Sequence, residues 1–180
     1  VIDSEGSIAS FIASFWRGNL DPEIKSSSNE ITRNSHGVET ISGETFSKAI
    51  LERKDKHSLL YLQAPTCAHC KRFSVIWNEL ARLLDSVGWN ATIDVMQMDV
   101  TSNEIMTNEV VIDPAFVPDL FYFPQGNKSH YVQYSKQDKY GDGLGCLDSA
   151  IEVVNWMLAI GDGFDEAVLL QELEQTSSIE

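Results

Sequence analysis

Residues 64–73 read APTCAHCKRF, and the fold turns on how this stretch is read. Cys67 and Cys70 flank Ala68 and His69; Pro65 stands upstream, and Lys71 and Arg72 follow. Just before it, SLLYLQA (58–64) is a nearly unbroken apolar run, as expected of a strand buried on both faces. Just after it, RFSVIWNELARLLDSV (72–87) puts Phe73, Ile76, Trp77, Leu80, Leu83 and Leu84 on one helical face, and Gly88 ends the run. Strand, cysteine pair and helix therefore follow in that order.

That order carries the chemistry. Free N–H groups and the dipole at a helix N-terminus favour an anion. A thiolate is such an anion and is the reactive form of cysteine. Cys67 sits at the helix mouth and is read as the attacking sulfur. Cys70, one turn later and more buried, is read as the resolving one. His69 is the candidate cation. When protonated it favours the thiolate and so the dithiol, which makes the disulfide form the better oxidant. Two other uses stand beside redox exchange. A structural zinc site needs four ligands, and beyond the pair only Cys146, His36, His57 and His130 are on offer. A purely structural Cys67–Cys70 disulfide would close so small a loop that it stabilises little.

Outward from the pair, the rhythm continues. VETI (38–41) reads as a strand and SGETFSKAILERK (42–54) as a helix with Phe46, Ile50 and Leu51 on one face. ATIDVMQMDV (91–100) is a second central strand, and TSNEIMTNEV (101–110) is a short helix. DLFYFP and HYVQY are strands around a QGNK turn, and LDSAIEVVNWMLAI (147–160) is a helix after a Gly-rich loop at 141–145. The order β α β α β α β β α requires parallel crossovers and then an antiparallel hairpin: an α/β chain with a central mixed sheet flanked by helices. Residues 1–20 hold an extra N-terminal helix, with Ile8, Phe11, Ile12, Phe15 and Trp16 in one stripe and Gly18 as its stop. Residues 21–37 are polar, broken by Pro22, and read as a linker. The domain then runs 38–161. An acidic C-terminal extension occupies 162–180 and reads as a solvated face; the alternative is an extension helix that packs Phe164, Val168 and Leu169 on the domain.

Composition narrows the function. The chain has 180 residues, is 43% apolar, and carries 27 acidic against 13 basic residues, a net charge of −14. It has enough apolar residues for a core, and its charge repels nucleic acid. No EF-hand loop is present. No apolar run approaches the roughly 20 residues of a membrane span, so membrane insertion of this segment is not expected. The chain opens on Val1 and reads as an excised fragment or processed chain. Three cysteines are too few for a disulfide scaffold.

With these residues in place, the chain resembles a thioredoxin-fold catalytic domain of the protein disulfide isomerase family over about residues 38–160. APTCAHCK is similar to the family's APWCGHCK, IWNEL follows at the family's distance, and QMDVTSNE and FVPDLFYFPQGN resemble the later strand-turn and cis-proline segments. The resemblance implies a thioredoxin fold and a cis Pro118 facing the cysteines. It implies that the Val117 backbone pairs with a substrate peptide as an added strand, with Thr66 beside it. Residues 1–37 then resemble the end of a preceding non-catalytic domain and its connector. The chain departs from the family at five places. Thr66 replaces the active-site tryptophan, Ala68 a glycine, Tyr61 the buried proton-shuttling glutamate and Val75 a kink proline. Gly145 or its neighbours stand where the mobile arginine is expected. Loss of the glutamate and the arginine, which lower the cost of deprotonating the resolving cysteine, predicts slow resolution of a mixed disulfide.

Cys146 reads as a small buried apolar residue. Tyr61, Trp77 and Trp156 read as core, with the Tyr61 hydroxyl finding a partner, and Asp99 as a cap for the next helix. Asn90 (NAT) and Asn127 (NKS) are N-glycosylation sequons in loops, in mild agreement with a secretory compartment. The expectation is a thiol-disulfide oxidoreductase or isomerase of the endoplasmic reticulum lumen. It would act on cysteine-containing client polypeptides, be served by an upstream thiol oxidase, and need no metal or organic cofactor. A client-binding scaffold module with relaxed catalysis is the alternative, and a cytosolic thioredoxin-like reductase a third reading.

Overall fold

A computed structural model describes residues 4–20, 24–112, 116–134 and 149–160. Cys146, Gly145 and the 162–180 extension lie outside the described residues. The elements are α1 (Ser4–Trp16), β1 (Thr32–Arg33), β2 (Glu39–Thr40), β3 (His57–Gln63), α2 (Ala68–Ser86), β4 (Ile93–Asp99), β5 (Asp119–Phe123), β6 (Val132–Gln133) and α3 (Ala150–Ile160). One sheet runs β1-β2-β4-β3-β5-β6. β2, β4 and β3 are parallel, while β1, β5 and β6 pair antiparallel to their neighbours.

The unbroken apolar run of β3 is explained by two cores. Side chains alternate across a strand, so Leu59 and Tyr61 meet Phe73, Trp77, Leu80, Val153 and Met157 of α2 and α3 on one face. Leu60 and Leu62 meet Met96, Met98, Phe121 and Phe123, with Phe46, Ile50 and Leu51, on the other. β3 is thus the central strand, and its C-terminal end feeds the cysteine pair directly into α2.

Three stretches differ from the sequence reading. The helix expected at 42–54 is a single wide turn, Ser47–Leu51, closed by Glu52 N–H to Ser47 O at 2.9 Å. Its leading amides are committed elsewhere: Ser42 N–H to Thr45 Oγ1 (2.7 Å), Gly43 N–H to Asn103 Oδ1 (3.1 Å) and Glu44 N–H to Ser26 Oγ (3.1 Å). The helix expected at 101–110 is absent. Asp99 takes Thr101 N–H (2.8 Å) and the Ser102 hydroxyl (3.2 Å), and Glu104 N–H goes to Lys25 O (2.9 Å). Side-chain and cross-chain acceptors have outcompeted the helical ladder.

The third stretch is the expected linker, part of which is woven into the domain. Thr32–Arg33 form β1 on Thr40 and Glu39, and the Ser27 amide and hydroxyl both donate to buried Asn103 Oδ1, at 2.9 and 3.1 Å. Buried Glu39 accepts from Arg33 (2.6 Å) and Arg53 (2.7 Å), and Arg53 and Lys56 each reach buried Asp94 at 3.1 Å. By contrast, α1 forms as expected and ends before Gly18 (φ 68°), but its stripe of Ile8, Phe11, Ile12 and Phe15 is exposed.

Candidate active site

Cys67 is the N-cap of α2, with extended backbone (φ −75°, ψ 117°). Its Sγ accepts the Cys70 N–H at 3.1 Å, which satisfies one of the helix's unpaired donors. The same sulfur donates to Val117 O at 3.7 Å. The Val117–Pro118 peptide bond is cis. The half-buried Cys67 thiol therefore lies between a helix amide and the proline loop, two elements brought together across β3 and β5. Cys70 is 1% exposed. Burial first, and then its hydrogen bond with Cys67, push its thiol above the ordinary range. The two sulfurs are thus unequal: one accessible at the helix mouth, one sealed beneath it.

Tyr61 is fully buried, its ring 5.1 Å from Phe73 and 5.5 Å from Trp77. Its hydroxyl donates to Cys70 O at 2.9 Å, and Ser74 Oγ donates to the same carbonyl at 2.9 Å. Burial above all pushes the phenol far up, so it stays a neutral donor and offers no carboxylate to take the Cys70 proton. His69 is exposed, and its Nδ1 meets Arg72 Nη2 at 3.3 Å. A guanidinium only donates, so Nδ1 accepts in this arrangement and the fixed positive charge beside the ring is that of Arg72. Thr66 is exposed at the turn.

Sequence reasoning passed over two residues here. Asp119 follows Pro118 at once, accepting Leu120 N–H (2.9 Å) and Gln133 Nε2–H (2.8 Å), and burial pushes its carboxyl up to about 6. Phe116, two residues before Pro118, is 85% exposed. The signal for both was their closeness to Pro118; the resemblance singled out only Val117 and Pro118 in this segment.

The other singled-out residues lie away from the pair. Asn90 is exposed in a tight turn (Trp89–Ala91), its amide donating to Asp85, and exposed Asn127 sits in the turn after Gly126 with its amide 3.3 Å from His130 Nδ1. His57 is buried, its Nδ1 engaged by Tyr122 Oη (2.6 Å) and Gln125 N–H (3.0 Å). Asp99 caps a turn rather than a helix. Trp77 is core, and half-buried Trp156 packs edge-on against Tyr122 and Tyr134. Among the described residues no group of three or more His, Cys, Asp or Glu is placed to hold a metal ion.

The thioredoxin family model matches residues 37–142, more than half of the chain. The chain belongs to the thioredoxin family. This thioredoxin domain is 28% identical to human protein disulfide-isomerase A4 over 130 residues, which is 72% of the chain and 19% of that protein. It is 32% identical over 133 residues to protein disulfide isomerase-like 1-3 of Arabidopsis thaliana, covering 72% of the chain and 21% of that protein. The chain thus spans about a fifth of the length of these curated relatives. Among solved structures, the first thioredoxin domain of mouse protein disulfide-isomerase A4 superposes with a TM-score of 0.53 at 21% identity, over 74% of this chain and 81% of that one. The thioredoxin domain is homologous to the protein disulfide isomerases, and its fold is theirs.

Proposed function

We propose that the domain exchanges disulfides with the cysteines of client polypeptides in the endoplasmic reticulum lumen. The carrying observation is the seat of Cys67 Sγ, 3.1 Å from the Cys70 amide and 3.7 Å from the Val117 carbonyl. In the reducing direction the Cys67 thiolate attacks a client disulfide. The client S–S bond breaks, one client sulfur leaves as thiolate, and a Cys67–client disulfide forms. Cys70, once deprotonated, attacks Cys67 Sγ, which releases the second client thiolate and leaves the Cys67–Cys70 disulfide. In the oxidising direction the same bonds are exchanged in reverse, and a thiol oxidase removes the two electrons that the dithiol then holds. The Val117 backbone, next to the cis proline, aligns the client as an added strand, with Thr66 across from it. His69 and Arg72 tune the charge at the helix mouth.

The compartment reading rests on the homologous isomerases and on two exposed sequons, Asn90 and Asn127. Among the described residues no helix is long and apolar enough to cross a membrane. The test is Cys70→Ser with the full chain expressed in a secretory cell. It is expected to accumulate mixed disulfides between Cys67 and secretory proteins, released by reductant. Absence of such adducts, with Cys67 still alkylatable, would count decisively against the reading.

A second reading is favoured by one observation: Tyr61, a neutral donor, stands where the family has its proton-shuttling glutamate. The domain would then chiefly hold clients. Replacing Cys67 and Cys70 together by serine separates the two, since client maturation that proceeds unchanged supports holding over exchange.

A further inference from the structure

Phe116 is the most exposed large apolar side chain among the described residues, at 85%. It is joined by one peptide unit to Val117, whose carbonyl oxygen lies 3.7 Å from Cys67 Sγ. Neighbouring Cα atoms are about 3.8 Å apart, and a sulfur bonded to Cys67 sits about 2 Å from Sγ. A polypeptide bonded to Cys67 and paired with the Val117 backbone therefore passes within side-chain reach of residue 116. Across the pair, the turn presents Thr66, small and polar, so it offers no apolar surface of its own. Cysteine is among the most buried residue types in folded proteins. Its neighbours in an unfolded chain are accordingly often apolar, and become hidden once folding is complete.

We propose that Phe116 is a specificity-determining residue. It contacts an apolar or aromatic side chain next to the client cysteine, and so biases exchange toward cysteines of unfolded chains. The contact surface at the nucleophile is supplied from the proline loop instead of from residue 66. This inference rests on the redox reading of Cys67, and the experiment keeps the two apart.

The full chain, reduced, is reacted with two synthetic peptide disulfides that share one frame and differ only in the residues flanking cysteine, Leu and Phe in one and Ser in the other. Glutathione disulfide is the reference oxidant for the wild-type chain. The expected result is that wild type prefers the apolar peptide by roughly three- to tenfold. In Phe116→Ser the ratio of the two rates falls to near one, and in Phe116→Leu part of it returns. A wild-type ratio near one, or a ratio unchanged in Phe116→Ser, overturns the inference while leaving the redox reading intact. Failure of wild type to react even with glutathione disulfide overturns the redox reading and this inference with it.

Discussion

Tyr61 holds the Cys70 carbonyl with a hydroxyl that burial keeps protonated. Resolution needs the opposite service, a base for a thiol that is itself pushed up by burial. Tyr61→Glu should therefore shorten the lifetime of a Cys67 mixed disulfide by about tenfold or more, followed by stopped flow at neutral pH, while lowering stability. An unchanged lifetime would remove Tyr61 from the account of slow resolution. Asp119 gives a pH signature. Its folded carboxyl titrates near 6, above the ordinary 3.8. The neutral form is thus favoured in the folded state. The stability it contributes is present below the ordinary value and is lost as pH rises through about 6. Asp119→Asn, which can still accept from Leu120 and Gln133, should be more stable than the parent at pH 7 to 8 and equal to it near pH 4 or below. Urea midpoints across that range decide it; a gap independent of pH would sink the assignment.

Among the elements, the connector is the surprise. Asn103 Oδ1 gathers the Ser27 amide, the Ser27 hydroxyl and the Gly43 amide, and its own Nδ2 donates to Asp99 O at 2.8 Å. Gly43 is required at this crossing, because a Cβ there would lie 2.6 Å from Glu104 O and 2.8 Å from Lys25 O. Asn103→Ala leaves the buried Gly43 amide without an acceptor, and should cost about 1–3 kcal/mol in urea unfolding. It should also open residues 24–31 to limited proteolysis. A loss below about 0.5 kcal/mol, typical of a surface change, would show that the connector is not latched through this side chain. The same contacts explain the missing helix at 101–110: a residue with two strong local acceptors and a neighbouring strand of chain to bond has no need of its own i−4 carbonyl.

For the whole molecule, charge is the dominant property. The net charge is −14, and at the site the basic residues Lys71 and Arg72 directly follow Cys70. Long-range attraction acts on rate and is screened by salt. Capture of a basic cysteine peptide by Cys67 should slow by roughly tenfold between low salt and several hundred millimolar, while capture of an acidic peptide should speed up. Matching salt responses for the two peptides would mean that the site is insulated from the molecular field.

The sequence by itself determined β3, α2 and the pair between them, because an apolar run, a 3.6-residue period and a local motif are all short-range patterns. It also located Pro118, Val117 and Tyr61, through a resemblance carried by contiguous motifs. The tertiary structure alone decided that Thr32–Arg33 form the sheet edge while Lys25 and Ser27 bond to the domain, that two expected helices dissolve into turns, and that His69 pairs with Arg72. It alone showed that Asp119 is half-buried and Phe116 exposed on either side of the cis Val117–Pro118 bond. The physical reason is common to all of these. Each depends on hydrogen bonds, burial or exposure set by chain segments far apart in sequence, and no local pattern records which distant acceptor a backbone amide will find.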